Sequence, residues 1–212
     1  LYHIKDKGST YEILDRFNLK SLASVAAQAA GDAPEIWSSC AINDDGTVYT
    51  QSSDGKGWAF HSDLTAKWIV NFKYKDQFYH SFSSPVINES GVVVMANDYG
   101  YILGYDANNG SELWRFPKLR KPNPEWWRTG AIAADGSMII GSEKSSRYYV
   151  LDTDSGELLW KTTSIGNETG CFPAIAGDGT IYVTGGYNGG LYAFEGDWPL
   201  MMSAWPKGMR DN

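Results

Sequence analysis

The sequence predicts an all-β fold, a β-propeller of four-stranded antiparallel blades, with about four full blades and a partial one, and three observations carry this. Trp68, Trp114, Trp160 and Trp205 recur at steps of 46, 46 and 45 residues. Gly46, Gly91, Gly136 and Gly179 run beside them at steps of 45, 45 and 43, each in a polar turn ahead of an apolar run. Within each step lie short β-type runs separated by Gly, Asp and Asn turns. Such a period means one supersecondary unit, copied, that cannot bury its apolar face alone and must stack on its neighbours.

The second unit shows the grammar most clearly. Ser84-Pro-Val-Ile-Asn leads to the turn Glu89-Ser-Gly91, and the strand Val92-Val-Val-Met-Ala follows. After Asn97-Asp-Tyr-Gly100 come Tyr101-Ile-Leu-Gly-Tyr-Asp106, the turn Ala107-Asn-Asn-Gly110, and Ser111-Glu-Leu-Trp-Arg-Phe116. Four such runs read as a meander. The third unit repeats it through Ala131–Ile140, Arg147–Asp152 and Gly156–Trp160. The fourth does so through Pro173–Val183 and Gly190–Phe194, and the first through Cys40–Tyr49, Trp58–Phe60 and Trp68.

These readings divide the chain into a partial blade at 1–17, blades at 36–78, 79–125, 126–168 and 169–206, and a tail at 207–212. Residues 18–35 break the beat. Asn18-Leu-Lys-Ser-Leu-Ala-Ser-Val-Ala-Ala-Gln-Ala-Ala has a helix-forming composition and runs into Gly31 and Pro34, which predicts a short helix or compact insertion. The chain opens in mid-repeat, so the half-unit at Leu1–Phe17 is expected to complete a blade with strands from the C-terminus or from another chain. Four and a half blades call for a small closed ring, self-association, or additional blades from a longer chain.

Composition narrows the function classes. The chain has 212 residues, 14% aromatic and 20% charged, with a net charge of −7, which argues against general affinity for nucleic acid or anionic membranes. No apolar run is long enough for a membrane span. Cys40 and Cys171 lack metal-ligand spacing and read as two buried thiols, with a disulfide between them as the open alternative. Asn88-Glu-Ser, Asn109-Gly-Ser and Asn167-Glu-Thr match the glycosylation triplet, at a frequency that chance supplies.

The register of the repeat resembles a known family. Gly104-Tyr-Asp-Ala-Asn-Asn-Gly-Ser-Glu-Leu-Trp114 and Val150-Leu-Asp-Thr-Asp-Ser-Gly-Glu-Leu-Leu-Trp160 resemble the tryptophan-docking pattern A-x-D-x-x-T-G-x-x-x-W of pyrroloquinoline-quinone (PQQ) repeat propellers. Asp106, Asp152, Gly110, Gly156 and both tryptophans match. Gly104 and Val150 replace the alanine, and Asn109 and Ser155 the threonine. The first and fourth units keep Trp68 and Trp205 with degenerate turns. Ala204-Trp-Pro-Lys-Gly-Met-Arg-Asp-Asn212 is similar to the motif that opens a fresh run of such repeats. The resemblance implies that Trp68, Trp114, Trp160 and Trp205 are wedges between adjacent blades, seated by those aspartates and glycines.

Chemistry-bearing patterns are sparse. His3, His61 and His80 are dispersed, no nucleophile elbow occurs, and Asp44-Asp45 belongs to a repeated turn. No metal site is predicted. Two joins between blades stand out: Phe72–Ser81, with Lys73, Tyr74, Lys75, Phe78 and Tyr79, and Lys118–Arg128, with Arg120, Lys121, Trp126, Trp127 and Arg128. On one rim, these residues would form a cationic aromatic binding patch for a protein partner or a glycan; the alternative is that Trp126 and Trp127 cap the blade interface while the lysines and arginines are solvated.

Function follows as an expectation. The leading reading is a non-catalytic PQQ-like repeat propeller, a protein- or ligand-binding scaffold in the periplasm, at the cell surface or outside the cell. It is closer to the outer-membrane assembly lipoproteins of the family than to its dehydrogenases. It needs no cofactor. The alternative is a fragment of a quinoprotein dehydrogenase, which would bring PQQ and calcium, and a third reading is a glycan-binding domain.

Overall fold

The computed structural model describes residues 2–18, 35–71, 82–119, 124–167, 171–187 and 189–208. The helix expected within 18–35 falls almost wholly outside them. Among the described residues, seventeen strands form five antiparallel sheets. A hairpin, β1 (Tyr2–Asp6) and β2 (Tyr11–Arg16), comes first. Blade 1 is β3 (Ala41–Ile42), β4 (Val48–Ser52), β5 (Lys56–Phe60) and β6 (Ala66–Asn71). Blade 2 is β7 (Val86–Ile87), β8 (Val92–Ala96), β9 (Ile102–Asp106) and β10 (Glu112–Phe116). Blade 3 is β11 (Ala131–Ile132), β12 (Ser137–Ser142), β13 (Arg147–Asp152) and β14 (Leu158–Lys161). Blade 4 has only three strands, β15 (Ala174–Ile175), β16 (Ile181–Thr184) and β17 (Leu191–Phe194).

The glycine beat has a direct backbone cause. Gly46, Gly91, Gly136 and Gly179 all adopt positive φ, from +78° to +88°, and each donates its N–H to the carbonyl three residues back. The left-handed region that closes this turn costs an L-residue with a side chain about 1–2 kcal/mol, so glycine recurs there. In three of the four turns an aspartate carboxylate also accepts the N–H two residues on: Asp45 from Thr47, Asp135 from Ser137 and Asp178 from Thr180.

Alternation then builds the core between blades. β8 and β9 bury side chains on both faces, as sheets covered by a neighbour on each side must. Val93, Met95, Leu103 and Tyr105 meet Tyr49, Ala59 and Trp68 of blade 1. Val92, Val94, Ile102 and Trp114 meet Met138, Ile140, Tyr149 and Leu151 of blade 3. Ile139, Val150 and Tyr148 meet Ile175, Ile181 and Val183 of blade 4.

One expectation is corrected. Among the described residues blade 4 has no fourth strand, because the chain leaves the sheet after Phe194. Residues 199–207 instead cross the inner strands: Met201 donates to Ile132, Ala134 to Pro199, Ile132 to Pro206 and Ile87 to Trp205. The N-terminal half-unit joins no blade among the described residues of this chain, and its completion by strands of another chain stays an expectation. β1 and β2 pair with each other, and Ile4, Tyr11 and Ile13 stay exposed. Phe17 does anchor the hairpin's end, stacking obliquely on Phe60 at 4.6 Å and Trp58 at 5.9 Å.

The cysteines form no disulfide, and Cys171 is exposed rather than buried. Burial pushes the Cys40 thiol above the ordinary thiol range. Of the glycosylation triplets, Asn88 is buried, its amide donating to Thr153 and Asp154 of blade 3, which leaves no room for a glycan.

Candidate binding surface and the tryptophan docks

Two blade junctions share one geometry. The Trp68 Nε1 donates to the Ala107 carbonyl at 3.0 Å, and the Trp114 Nε1 to the Thr153 carbonyl at 2.8 Å, each 39 residues ahead. The receiving turn is shaped by the repeat's aspartate: Asp106 accepts the N–H of Asn108 and Asn109, and Asp152 accepts the N–H and hydroxyl of Ser155. The turn ends in Gly110 or Gly156, at φ +73° and +70°. A Cβ there would lie 2.8 Å from the Trp68 ring or 2.4 Å from the Trp114 ring. These glycines are needed twice over, for the backbone conformation and for the indole laid against them.

Trp160 does not repeat this. It is 42% exposed, against 8% for Trp68 and Trp114. Its cross-strand partner is Val150, where Trp68 faces Ala59 and Trp114 faces Gly104. A Cβ at Gly104 would meet the Trp114 indole at 2.3 Å, and Val150 sets a β-branched side chain, bulkier than that of Ala59, at the equivalent position opposite Trp160. Blade 4 also offers no turn to receive it, having Glu195-Gly196-Asp197-Trp198 after β17. Trp205 is no blade wedge either. It sits in the crossing segment, bridged to Ile87 and packed against the cluster shared by blades 1 and 2.

Of the expected cationic aromatic patch, Lys73, Tyr74, Lys75, Phe78, Tyr79, Arg120 and Lys121 lie outside the described residues. Trp126 is exposed, with the Lys144 ammonium 5.7 Å from its ring centre. Trp127 and Arg128 are not part of an exposed surface. Residues 126–128 run antiparallel to Ser142, which turns Trp127 into the blade 2–blade 3 core, edge-on to Tyr149 at 4.9 Å. Arg128 is held at 2.8 Å by Asp98, by Glu143, and over the Phe82 ring. A buried guanidinium needs such partners, because desolvation without them costs several kcal/mol.

Sequence reading missed a belt of hydrogen bonds near the axis. The Ser39 N–H donates to the Ser84 hydroxyl at 3.0 Å, and the Ser84 N–H to the Thr129 hydroxyl at 2.6 Å. The signal was available: Ser39, Ser84 and Thr129 stand 45 residues apart, two residues before an inner strand.

Comparison with known proteins gives this geometry a family. The family described as outer membrane protein assembly factor BamB matches residues 23–123 and again 98–197, together most of the chain. The chain belongs to the BamB family. Among BamB proteins, that of Moranella endobia is 26% identical over 110 residues, and that of Burkholderia pseudomallei 25% over 115. These matches cover 50% and 54% of this chain but 28% of each relative, so the chain spans well under half of the BamB proteins it matches. In three dimensions it resembles BamB of Moraxella catarrhalis, with TM-score 0.60 and 22% identity, over 75% of this chain and 46% of that one. Quinohemoprotein alcohol dehydrogenase of Comamonas testosteroni follows with TM-score 0.53 and 18% identity, over 69% of this chain and 33% of that one. These likenesses show a shared propeller fold.

The fit to a quinone and its metal is poor in the described residues. No group of three or more His, Cys, Asp or Glu there could hold a metal ion. Residues 199–207 also occupy the inner strand edges of blades 2 and 3.

Proposed function

We propose that this chain works as a non-catalytic scaffold in the bacterial cell envelope, facing the periplasm and binding other proteins of outer-membrane assembly. The observation that carries it is the tandem match of the BamB family across residues 23–197. The blade architecture supports the same reading. Rigid, mutually buried sheets present turns and rims to a partner, and the aspartates of the repeat serve turns rather than chemistry. Lys73, Tyr74, Lys75, Phe78, Tyr79, Arg120 and Lys121, with the exposed Trp126, remain the proposed contact rim.

The test is fractionation and cross-linked co-purification of the tagged chain from its own host. Recovery in the envelope fraction with an outer-membrane assembly component supports the reading. Recovery in the cytosol, or in the envelope without such a partner, overturns it. The fold likeness to quinohemoprotein dehydrogenases keeps a second reading in view, a piece of such an enzyme. Dye reduction that requires added PQQ and calcium would establish it.

A further inference from the structure

The third and fourth blades meet without the element that closes the first two junctions, and a shaped cavity is left in its place. At those junctions, the hairpin turn of the following blade gives the indole a carbonyl and a glycine. After β17 the chain instead runs back beside β11, where the Pro199 carbonyl accepts from Ala134. The unfilled slot has a volume of about 170 Å³. Ile139, Val150 and Ile181 line its apolar side, Trp160 and Trp198 line it too, and Glu195 and Asp197 stand among its polar groups.

We propose that this slot is a docking pocket for an arginine side chain of a partner protein. The inference rests on the protein-binding reading above and names the chemistry of one contact. Trp160 and Trp198 are 42% and 52% exposed, two indoles left open to solvent beside carboxylates. A guanidinium stacks on indole faces and donates its in-plane N–H groups to carboxylates, which an ammonium does less well. The aliphatic stem of arginine matches the isoleucine and valine side. Glu195 and Asp197 are exposed, and neither forms an ion pair among the described residues. The chain's net charge of −7 favours a basic visitor. The pocket thus exists because the repeat is broken here: the same tryptophan that seals two junctions is left as a wall at the third.

The experiment is a titration of the whole 212-residue chain with N-acetyl-arginine amide, followed by the indole N–H resonances in nitrogen-labelled protein. Trp160→Phe and Trp198→Phe assign the two signals, and the Trp114 signal reports that each variant is folded. Saturable shifts of the Trp160 and Trp198 signals are expected, absent with the neutral isostere N-acetyl-citrulline amide. The double variant Glu195→Gln, Asp197→Asn should weaken binding by about tenfold or more. Equal shifts with the citrulline derivative, equal binding of tetramethylammonium, or no shift with the arginine derivative would each overturn the proposal. This titration needs no partner, so its outcome is independent of the envelope co-purification.

Discussion

Trp68 lies so close over Gly110 that one added methyl group would meet its ring at 2.8 Å, and Trp114 stands to Gly156 in the same relation at 2.4 Å. A wedge and its seat, 42 residues apart, are therefore one unit of the repeat. Gly110→Ala and Gly156→Ala should each cost about 2–4 kcal/mol, combining left-handed strain with overpacking. Gly91→Ala, at φ +78° with nothing within 4 Å of the new atom, should cost only about 1–2 kcal/mol. Urea unfolding midpoints check the ranking, and equal losses at all three sites would contradict the docking argument.

The tryptophans should separate in the same way. Trp68→Ala and Trp114→Ala remove buried indoles that bond across a junction, an expected loss of about 3–5 kcal/mol each. Trp160→Ala, from a half-open slot, should stay within about 1 kcal/mol of the parent. Thermal unfolding of the three variants tests this, and a Trp160→Ala loss matching the others would mean that its dock closes in solution.

Much of this was legible in the sequence, and the failures have physical causes. The turn glycines and the Asp106–Gly110 and Asp152–Gly156 hairpins depend on local backbone needs, which sequence displays. Trp160 could not be read by its spacing, because its surroundings are set by Val150 across the strand and by a turn missing from the next blade. Trp127 and Arg128 looked like an exposed patch because residue type alone does not reveal alternation on a short bridged segment. Only the structure shows Trp127 packed against Tyr149 and Arg128 clamped by Asp98 and Glu143.

Arg128 gives a third expectation. Arg128→Ala strands two carboxylates on a largely buried site and should cost about 3–5 kcal/mol. Replacing all three members, as Asp98→Asn, Arg128→Met and Glu143→Gln, should recover most of that loss, since no unpaired charge remains. Denaturant titration of the single and triple variants decides it, and a triple variant no better than Arg128→Ala would show that the ion pairs are needed for more than mutual neutralisation.

Acid should act through the turns. Bonds from the Thr47 backbone N–H, the Thr65 hydroxyl and the Thr180 backbone N–H hold Asp45, Asp63 and Asp178 below the ordinary carboxylate range. Their folded-state values lie under the unfolded value of about 3.9, so their contribution is present above that pH and fades as pH falls through the folded values. Stability should be flat near neutrality and drop below about pH 4. The triple variant Asp45→Asn, Asp63→Asn, Asp178→Asn should flatten that drop, and an unchanged acid profile would place the sensitivity elsewhere.

Alkali probes the core between blades. Burial pushes the Tyr49 and Tyr148 phenols up to about 12, while each hydroxyl donates to a carbonyl of the next blade, Ala107 or Thr184. The neutral phenol is favoured in the folded state, so this support is complete below about pH 10 and lost as pH climbs toward 12. Tyrosinate absorbance should rise in two phases, the later one coinciding with unfolding, and a single phase near pH 10 would contradict the buried assignment.

The segment crossing the inner strands sets an order of events for a chain made from its N-terminus. Blades 1 to 3 are built almost wholly from pairings between neighbours in sequence, and these can close as they emerge during synthesis. The Ser203 hydroxyl, by contrast, reaches the Ile87 carbonyl 116 residues earlier, and Trp205 pairs with that same strand. Loop closure of that span comes late, after the blades exist to receive it. Until then the inner edges of β7 and β11 are open backbone, a template for strand addition by another nascent chain. The last stretch of the described chain covers those edges in the folded state, so slower synthesis through residues 195–207 should lengthen the interval in which aggregation competes with folding.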